Sequence, residues 1–92
     1  MSDFIDTLAQ IIEDRKANPR PNSYTNKLLA DPVEAAKKVG EEATEVVIAA
    51  LAQSDERLLD EMADLVYHTL VLLSVRDLSW EQVLACLEKR HS

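Results

Sequence analysis

The sequence predicts an all-α fold: a helical bundle of four to five helices with two long central antiparallel helices, assembled as a dimer. One glycine and three prolines in 92 residues leave few positions for the tight turns of β-hairpins. Apolar residues also recur at helical spacing between capping signals. A chain this short forms one hydrophobic core, so a single domain over residues 1–92 is expected.

The amino-terminal third is predicted to hold two helices. The first spans about residues 2–16, because five apolar residues recur there at helical spacing: Phe4, Ile5, Leu8, Ile11 and Ile12. The proline-rich segment 18–22 ends this helix. Ser23 is then a suitable N-cap for a short helix that reaches Leu29 or Ala30.

The third helix is predicted to be one of the two long central helices. Asp31 provides an N-cap, Pro32 occupies the first helical position, and Glu34 is placed for a capping box. The helix should continue to about Gln53. Gly40 lies in its interior, where glycine costs about 1 kcal/mol relative to alanine.

The carboxyl-terminal half is predicted to hold two further helices. Ser54 and Asp55 begin the second long helix, which reaches about Val75. The segment 79–82 has the Ser-x-x-Gln pattern of another capping box, and the fifth helix ends in the cations of 89–90. Within this helix the single cysteine, Cys86, stands among leucines and is expected to fill the core.

Composition and charge exclude several classes of protein. A net charge of -7 argues against a surface that binds nucleic-acid phosphates. The longest uncharged run, residues 65–75, is too short to cross a bilayer, and residues 1–17 carry acids rather than the basic start of a signal peptide. A single cysteine suits a reducing compartment. A cytoplasmic protein with neither a nucleic-acid nor a membrane partner is therefore expected.

Acidic residues are concentrated in the two long helices. Residues 39–64 contain eight carboxylates and one cation, Arg57, whereas six of the ten basic residues precede position 39. Three of the acids are expected to be solvated because they lie at a helix start or on a wet face: Asp55, Glu56 and Asp60. The other acids require a different explanation.

Two pairs of acids border the apolar stripes of the long helices. Glu42 and Glu45 are three residues apart and share one face of the third helix, and Glu61 and Asp64 repeat this spacing on the fourth. At about 100° per residue, each pair lies beside the apolar stripe rather than opposite it. The two pairs are therefore predicted to face each other between the helices.

Facing carboxylates repel one another unless a cation offsets them or some are protonated. No lysine or arginine is expected on these faces, so a bound metal ion is the economical explanation. Oxygen-only ligation favours Mg²⁺, with Mn²⁺ possible, and such ions commonly bridge to substrate phosphates. A merely solvated acidic face is the alternative for each glutamate taken singly.

The acidic segments resemble a known signature. Glu41–Glu45 (EEATE) followed by Glu61–Asp64 (EMAD) matches the EExxE…ExxD pattern of the MazG-like all-α nucleoside-triphosphate pyrophosphohydrolases. Flanking blocks narrow the resemblance to the phosphoribosyl-ATP pyrophosphohydrolase family: SYTNKLL, KKVGEEATEVVIAA, ADLVYH and LEKRH. The similarity covers nearly the entire chain.

The resemblance implies hydrolysis of the α–β phosphoanhydride of phosphoribosyl-ATP to phosphoribosyl-AMP and pyrophosphate, the second step of histidine biosynthesis. It implies that Mg²⁺ activates the attacking water and that the ion is held by four acids: Glu42, Glu45, Glu61 and Asp64. Glu41 is then a candidate general base, a ligand of a further ion, or simply an exposed glutamate. The closest alternative function is housecleaning hydrolysis of other nucleoside triphosphates.

Six further polar residues are candidate substrate contacts on this resemblance and on their position: Ser23, Tyr24, Thr25, Lys27, Lys37 and Lys38. Lys38 shares the face of Glu42, although a surface ion pair with a glutamate explains it equally. Ser23 is also explained as a helix cap. His68 is more readily read as a hydrogen-bonded core histidine than as a ligand.

Two other classes of protein fit the sequence less well. Di-iron helical bundles use two Glu-x-x-His motifs, and only Glu88–His91 has that pattern here. An acidic helical adaptor explains the composition but not the paired spacing. A homodimer is expected because 47% of the residues are hydrophobic and short helices cannot enclose two long ones, and because the resembled family is built from paired subunits.

Overall fold

A computed structural model of the chain describes residues 3–92, which form five α-helices and no strand. The helices are α1 (Phe4–Ala17), α2 (Tyr24–Leu29), α3 (Pro32–Ala52), α4 (Asp55–Val75) and α5 (Trp80–His91). The all-α prediction is confirmed, and each predicted helix is present within two residues of its predicted bounds where the structure describes them. The predicted start of the first helix at Ser2 lies outside the described residues.

The predicted N-caps explain where the helices begin. A side-chain oxygen accepts a hydrogen bond from a backbone N–H of the first turn at four predicted caps: Ser23, Asp31, Ser54 and Ser79. At α5 both bonds of the capping box form, because Gln82 Oε1 also accepts from the Ser79 N–H at 2.8 Å. At α3 the N–H of Glu34 bonds Asp31, while the Glu34 carboxylate lies 3.9 Å from Lys37 Nζ.

Left-handed turns are made here without glycine. Asp77 has a φ of 57° and follows α4, where its N–H bonds the Ser74 carbonyl and the Leu78 N–H bonds the Leu73 carbonyl. This is the hydrogen-bond pattern of a Schellman motif, with aspartate in the place usually taken by glycine. Asn22, with a φ of 68°, turns the chain into α2. Asparagine and aspartate tolerate this conformation better than other non-glycine residues.

Helices α3 and α4 form the centre of the molecule. The connection at residues 53–54 is short, so the two helices run antiparallel, and they share the most extensive helix–helix contact of the fold. Helices α1 and α2 pack against one end of this pair. The core where they meet consists of five buried residues: Ile12, Leu28, Ala35, Leu70 and Val71. The other end of the hairpin carries acids and exposed apolar residues.

Helix α5 departs from the prediction that Cys86 fills the core. Cys86 is exposed, as are Leu84 and Leu87, although Val83 is partly buried. Beyond Trp80, α5 makes few contacts with the other helices. The sequence reveals that α5 has an apolar stripe, but periodicity alone does not state which surface covers that stripe. None of the helices in the described residues is long and apolar enough to span a membrane.

Replacing Gly40 by alanine is expected to stabilise the chain by about 0.5–1 kcal/mol, because glycine loses more backbone entropy on entering a helix. Gly40 is exposed within α3, and a Cβ built there meets no atom within 4 Å. Thermal unfolding followed by circular dichroism should show a midpoint raised by about 2–8 °C. Ala50→Gly, at another exposed position of α3, should lower it comparably. An unchanged or lower midpoint for Gly40→Ala would contradict an open helix surface at this position.

Candidate metal and substrate site

Three carboxylates from the two central helices converge. Glu42 of α3 and Glu61 and Asp64 of α4 each offer one oxygen, and these oxygens all lie within 4.8 Å of one another. We call these residues the acidic triplet. The antiparallel hairpin places them together because each acid borders the apolar stripe through which α3 and α4 pack. Within the triplet, Glu61 is buried, Glu42 is partly buried and Asp64 is exposed. The cluster is therefore open to solvent on one side.

Two cations reach the triplet, which corrects the expectation that no lysine or arginine lies on these faces. Arg57 Nη2 is 2.8 Å from Glu61 Oε1, and Lys38 Nζ is 3.7 Å from Glu42 Oε1. Both cations precede their partner by four residues, and long flexible side chains reach one helical turn along the surface. The i,i+4 spacing of Arg57 and Glu61 was the sequence signal for this missed contact. The Arg57 side chain is 54% exposed, so its pairing is largely screened by water.

At Glu61, the effects that favour the protonated carboxyl outweigh those that favour the charged carboxylate. Burial raises the pKa of its carboxyl above 4.5, the Arg57 guanidinium opposes that rise, and the charges of Asp64, Glu42 and Glu45 add to it. Burial and three negative neighbours therefore outweigh one arginine. The charged form of Glu61 is disfavoured in the chain alone, and a divalent cation among these oxygens would reverse that preference.

This imbalance predicts how the stability of metal-free protein depends on pH. Because the pKa of Glu61 is raised on folding, its protonated form stabilises the fold fully below about pH 4.5, and that contribution is lost as pH rises through the raised value. Urea unfolding with a chelator present should therefore show the wild type losing stability relative to Glu61→Gln as pH rises from about 4.5 through the raised pKa. A difference between the two that is constant with pH would contradict a raised pKa at Glu61.

The remaining predicted acids lie at the edge of the triplet. Glu45 is exposed and is not one of the three residues whose oxygens converge, although its charge still acts on Glu61. Glu41 is also exposed, and its carboxylate lies 3.3 Å from Lys38 Nζ. Lys38 thus stands between Glu41 and Glu42, and its hydrogen bond with Glu41 raises the pKa of its ammonium group above the usual 10.5.

The candidate substrate residues divide into those near the triplet and those away from it. Tyr24 lies close enough to Lys38 and Glu42 for both charges to act on its hydroxyl, although burial is the larger cause of its raised pKa. Ser23 caps α2, which confirms the alternative interpretation of this residue as a helix cap. Lys37 makes an exposed i,i+3 pair with Glu34, and Lys27 is exposed in the last turn of α2. Thr25 points to α4, where its hydroxyl pairs with the hydroxyl of Tyr67.

His68 is a buried, hydrogen-bonded histidine, as the sequence suggested. Its Nδ1 lies 2.7 Å from the Asp64 carbonyl oxygen, which can only accept, so Nδ1 carries the proton. Its Nε2 then accepts a hydrogen bond from the Tyr24 hydroxyl at 2.9 Å. Both ring nitrogens are engaged, and His68 is therefore not a ligand of a metal ion in this arrangement. Sequence reasoning did not single out Tyr67 as a site residue, although it belongs to the ADLVYH block that carries the family resemblance.

Comparisons with known proteins agree on one family. The family model described as phosphoribosyl-ATP pyrophosphohydrolase matches residues 5–91. The chain is 52% identical over 81 residues to a phosphoribosyl-ATP pyrophosphatase of Caulobacter sp. (strain K31), covering 88% of this chain and 76% of the relative. It is 49% identical to that of Caulobacter vibrioides (98% and 84% covered). The "Histidine biosynthesis bifunctional protein HisIE" of Gloeobacter violaceus is 51% identical, with 92% of this chain and 40% of the relative covered.

Proposed function

The chain belongs to the phosphoribosyl-ATP pyrophosphohydrolase family, and we therefore propose that it hydrolyses phosphoribosyl-ATP to phosphoribosyl-AMP and pyrophosphate, the second step of histidine biosynthesis. The bond broken is the α–β phosphoanhydride. The observation that carries this proposal is the acidic triplet, since three converging carboxylates open to solvent are suited to polyphosphate chemistry with a divalent ion.

The donor set fits Mg²⁺, with Mn²⁺ as a substitute. Every side-chain atom of the triplet that could bind the ion is a carboxylate oxygen, and the negative charge there exceeds what Arg57 and Lys38 offset. Glu45 is the proposed fourth acid, one turn along α3. When bound, the ion supplies positive charge that neutralises phosphate oxygens and lowers the pKa of water.

The protein's own groups have distinct proposed roles. Glu41, which is exposed and pairs with Lys38, is the proposed general base that takes a proton from the attacking water. Lys38 is positively charged, and its hydrogen bond with Glu41 raises its pKa further, so it is proposed to meet a phosphate oxygen once substrate arrives. Tyr24 and Thr25 belong to the α2 segment that borders the site, and Ser23, Lys27 and Lys37 are proposed as weaker, outer contacts.

The proposed reaction is tested by following both products. Purified protein with phosphoribosyl-ATP and Mg²⁺ should release pyrophosphate and phosphoribosyl-AMP in equal amounts, since one anhydride is broken per turnover. Ordinary and non-standard nucleoside triphosphates serve as the comparison. Hydrolysis of those nucleotides without turnover of phosphoribosyl-ATP would instead support the housecleaning alternative.

A homodimer is proposed as the working assembly, with residues 1–92 as its single domain and the cytoplasm as its compartment. Many large apolar side chains lie exposed on a single chain, including three on the hairpin: Val47 (55%), Leu51 (83%) and Leu59 (69%). Surfaces of this kind mark sites of association. Sedimentation equilibrium at micromolar concentration should give twice the mass of the chain, whereas a monomer would contradict the proposed assembly.

A further inference from the structure

Helix α2 is fastened to α4 by two hydrogen bonds that lie side by side. Tyr24 donates its hydroxyl proton to His68 Nε2 at 2.9 Å, and the hydroxyl of the next residue, Thr25, pairs with that of Tyr67. Consecutive residues of α2 thus meet consecutive residues of α4 across 42 to 44 positions of sequence. We call these two bonds the α2–α4 clasp.

The two hydrogen bonds of the clasp differ in whether their residues also contact the candidate metal site. The Tyr24–His68 bond continues to the candidate metal site, because His68 Nδ1 donates to the carbonyl of Asp64, a member of the triplet. On its other side, Tyr24 lies close enough to Lys38 for each group to shift the pKa of the other. The bond between Thr25 and Tyr67 has no such connection to the triplet in the described contacts.

The ring of His68 is fixed in orientation by its neighbours. It is 6% exposed and packs edge-on against the rings of Tyr67, at a centroid distance of 4.9 Å, and Tyr24, at 5.8 Å. Because Nδ1 of the neutral ring donates to the Asp64 carbonyl, Nε2 presents its lone pair to the Tyr24 hydroxyl. Tyr24 itself is 48% exposed, so part of its ring remains open beside the triplet.

We propose that His68 is a positioning residue for substrate binding: it holds Tyr24 at the rim of the acidic triplet so that the open ring of Tyr24 contacts the nucleotide. This inference rests on the proposed function and adds a role for a residue that touches neither substrate nor metal. The exposed part of a tyrosine ring offers a purine an apolar contact surface, and its fixed hydroxyl removes the rotational freedom that binding would otherwise cost.

The test compares two variants, each of which lacks a different hydroxyl group of the α2–α4 clasp. Tyr24→Phe deletes the hydroxyl that His68 holds, and Tyr67→Phe deletes the hydroxyl that Thr25 holds. Steady-state kinetics with phosphoribosyl-ATP and Mg²⁺ should show KM raised about fivefold to tenfold for Tyr24→Phe with kcat nearly unchanged. Tyr67→Phe should change KM less than about twofold. Equal effects of the two variants would mean that the clasp only docks α2, which would overturn the proposal.

Variants at His68 distinguish a role in positioning Tyr24 from a role in folding of the chain. His68→Gln places an accepting oxygen near the position of Nε2 and should keep KM within about threefold of the wild type, whereas His68→Leu should match Tyr24→Phe. The double variant Tyr24→Phe with His68→Leu should be no worse than either single change, because both remove one interaction. If His68→Leu fails to fold, Tyr24→Phe and His68→Gln decide the question. An inactive wild type would refute the proposed function, while an active wild type with unaltered KM in Tyr24→Phe would refute only this inference.

Discussion

Glu61→Gln is expected to lower kcat for phosphoribosyl-ATP by about 10²–10³-fold or more, because it removes the buried negative oxygen of the acidic triplet. The amide keeps the size of the side chain and can still accept the hydrogen bond of Arg57. The fold should therefore remain. Since burial and like charges disfavour the ionised carboxyl, the metal-free variant should be at least as stable as the wild type at neutral pH.

Asp60→Asn is the matched control for this prediction. It removes the same charge from the neighbouring residue of α4, but Asp60 is exposed and is not part of the triplet. Its turnover should lie within about twofold of the wild type. Stopped or continuous pyrophosphate assays at saturating substrate measure both variants. Comparable activity of Glu61→Gln and wild type would contradict a role for Glu61 at the reacting phosphate.

Ile12→Ala is expected to cost about 2–5 kcal/mol of unfolding free energy. Ile12 is 1% exposed and lies at the junction of α1, α2 and α4, in the cluster with Leu28 and Val71. Truncation removes three carbon atoms from that cluster and leaves a cavity. For a domain of this size the loss is a large fraction of the total stability, so the thermal midpoint should fall by about 10 °C or more.

Ile11→Ala provides the comparison, because the same side chain is truncated one residue earlier in α1. Ile11 is 41% exposed, so less apolar surface returns to water and less cavity forms. Urea unfolding should give a loss for Ile11→Ala below about half that of Ile12→Ala. Equal losses for the two variants would show that the α1–α4 packing described here does not set the stability of the chain.

Local rules were sufficient to predict the helices. Four capping side chains accept a hydrogen bond from the backbone N–H three residues later, and their helices begin where the sequence indicated: Ser23, Asp31, Ser54 and Ser79. The surroundings of Cys86 could not be predicted in the same way. Helical periodicity shows that a stripe is apolar, but whether it is covered depends on distant residues or on another chain.

The sequence predicted which acids share a helix face. It predicted less well which long or distant side chains contact them. The spacing of Glu42, Glu61 and Asp64 along their stripes was enough to predict that they meet. The approach of Arg57 to Glu61 was missed although their i,i+4 spacing allows it, whereas an ion pair of Lys38 with a glutamate was one of the two interpretations offered for that lysine. The α2–α4 clasp joins residues more than 40 positions apart, and no local pattern indicates such a pair.

Binding of Mn²⁺ measured by electron paramagnetic resonance tests the central claim most directly, since the signal of the free aqueous ion falls as the ion binds. Wild type and Asp60→Asn should bind Mn²⁺ in competition with Mg²⁺, whereas Glu61→Gln and Asp64→Asn should bind at least about tenfold more weakly. If all four proteins bind equally, or none binds, the convergence of these carboxylates does not form a metal site.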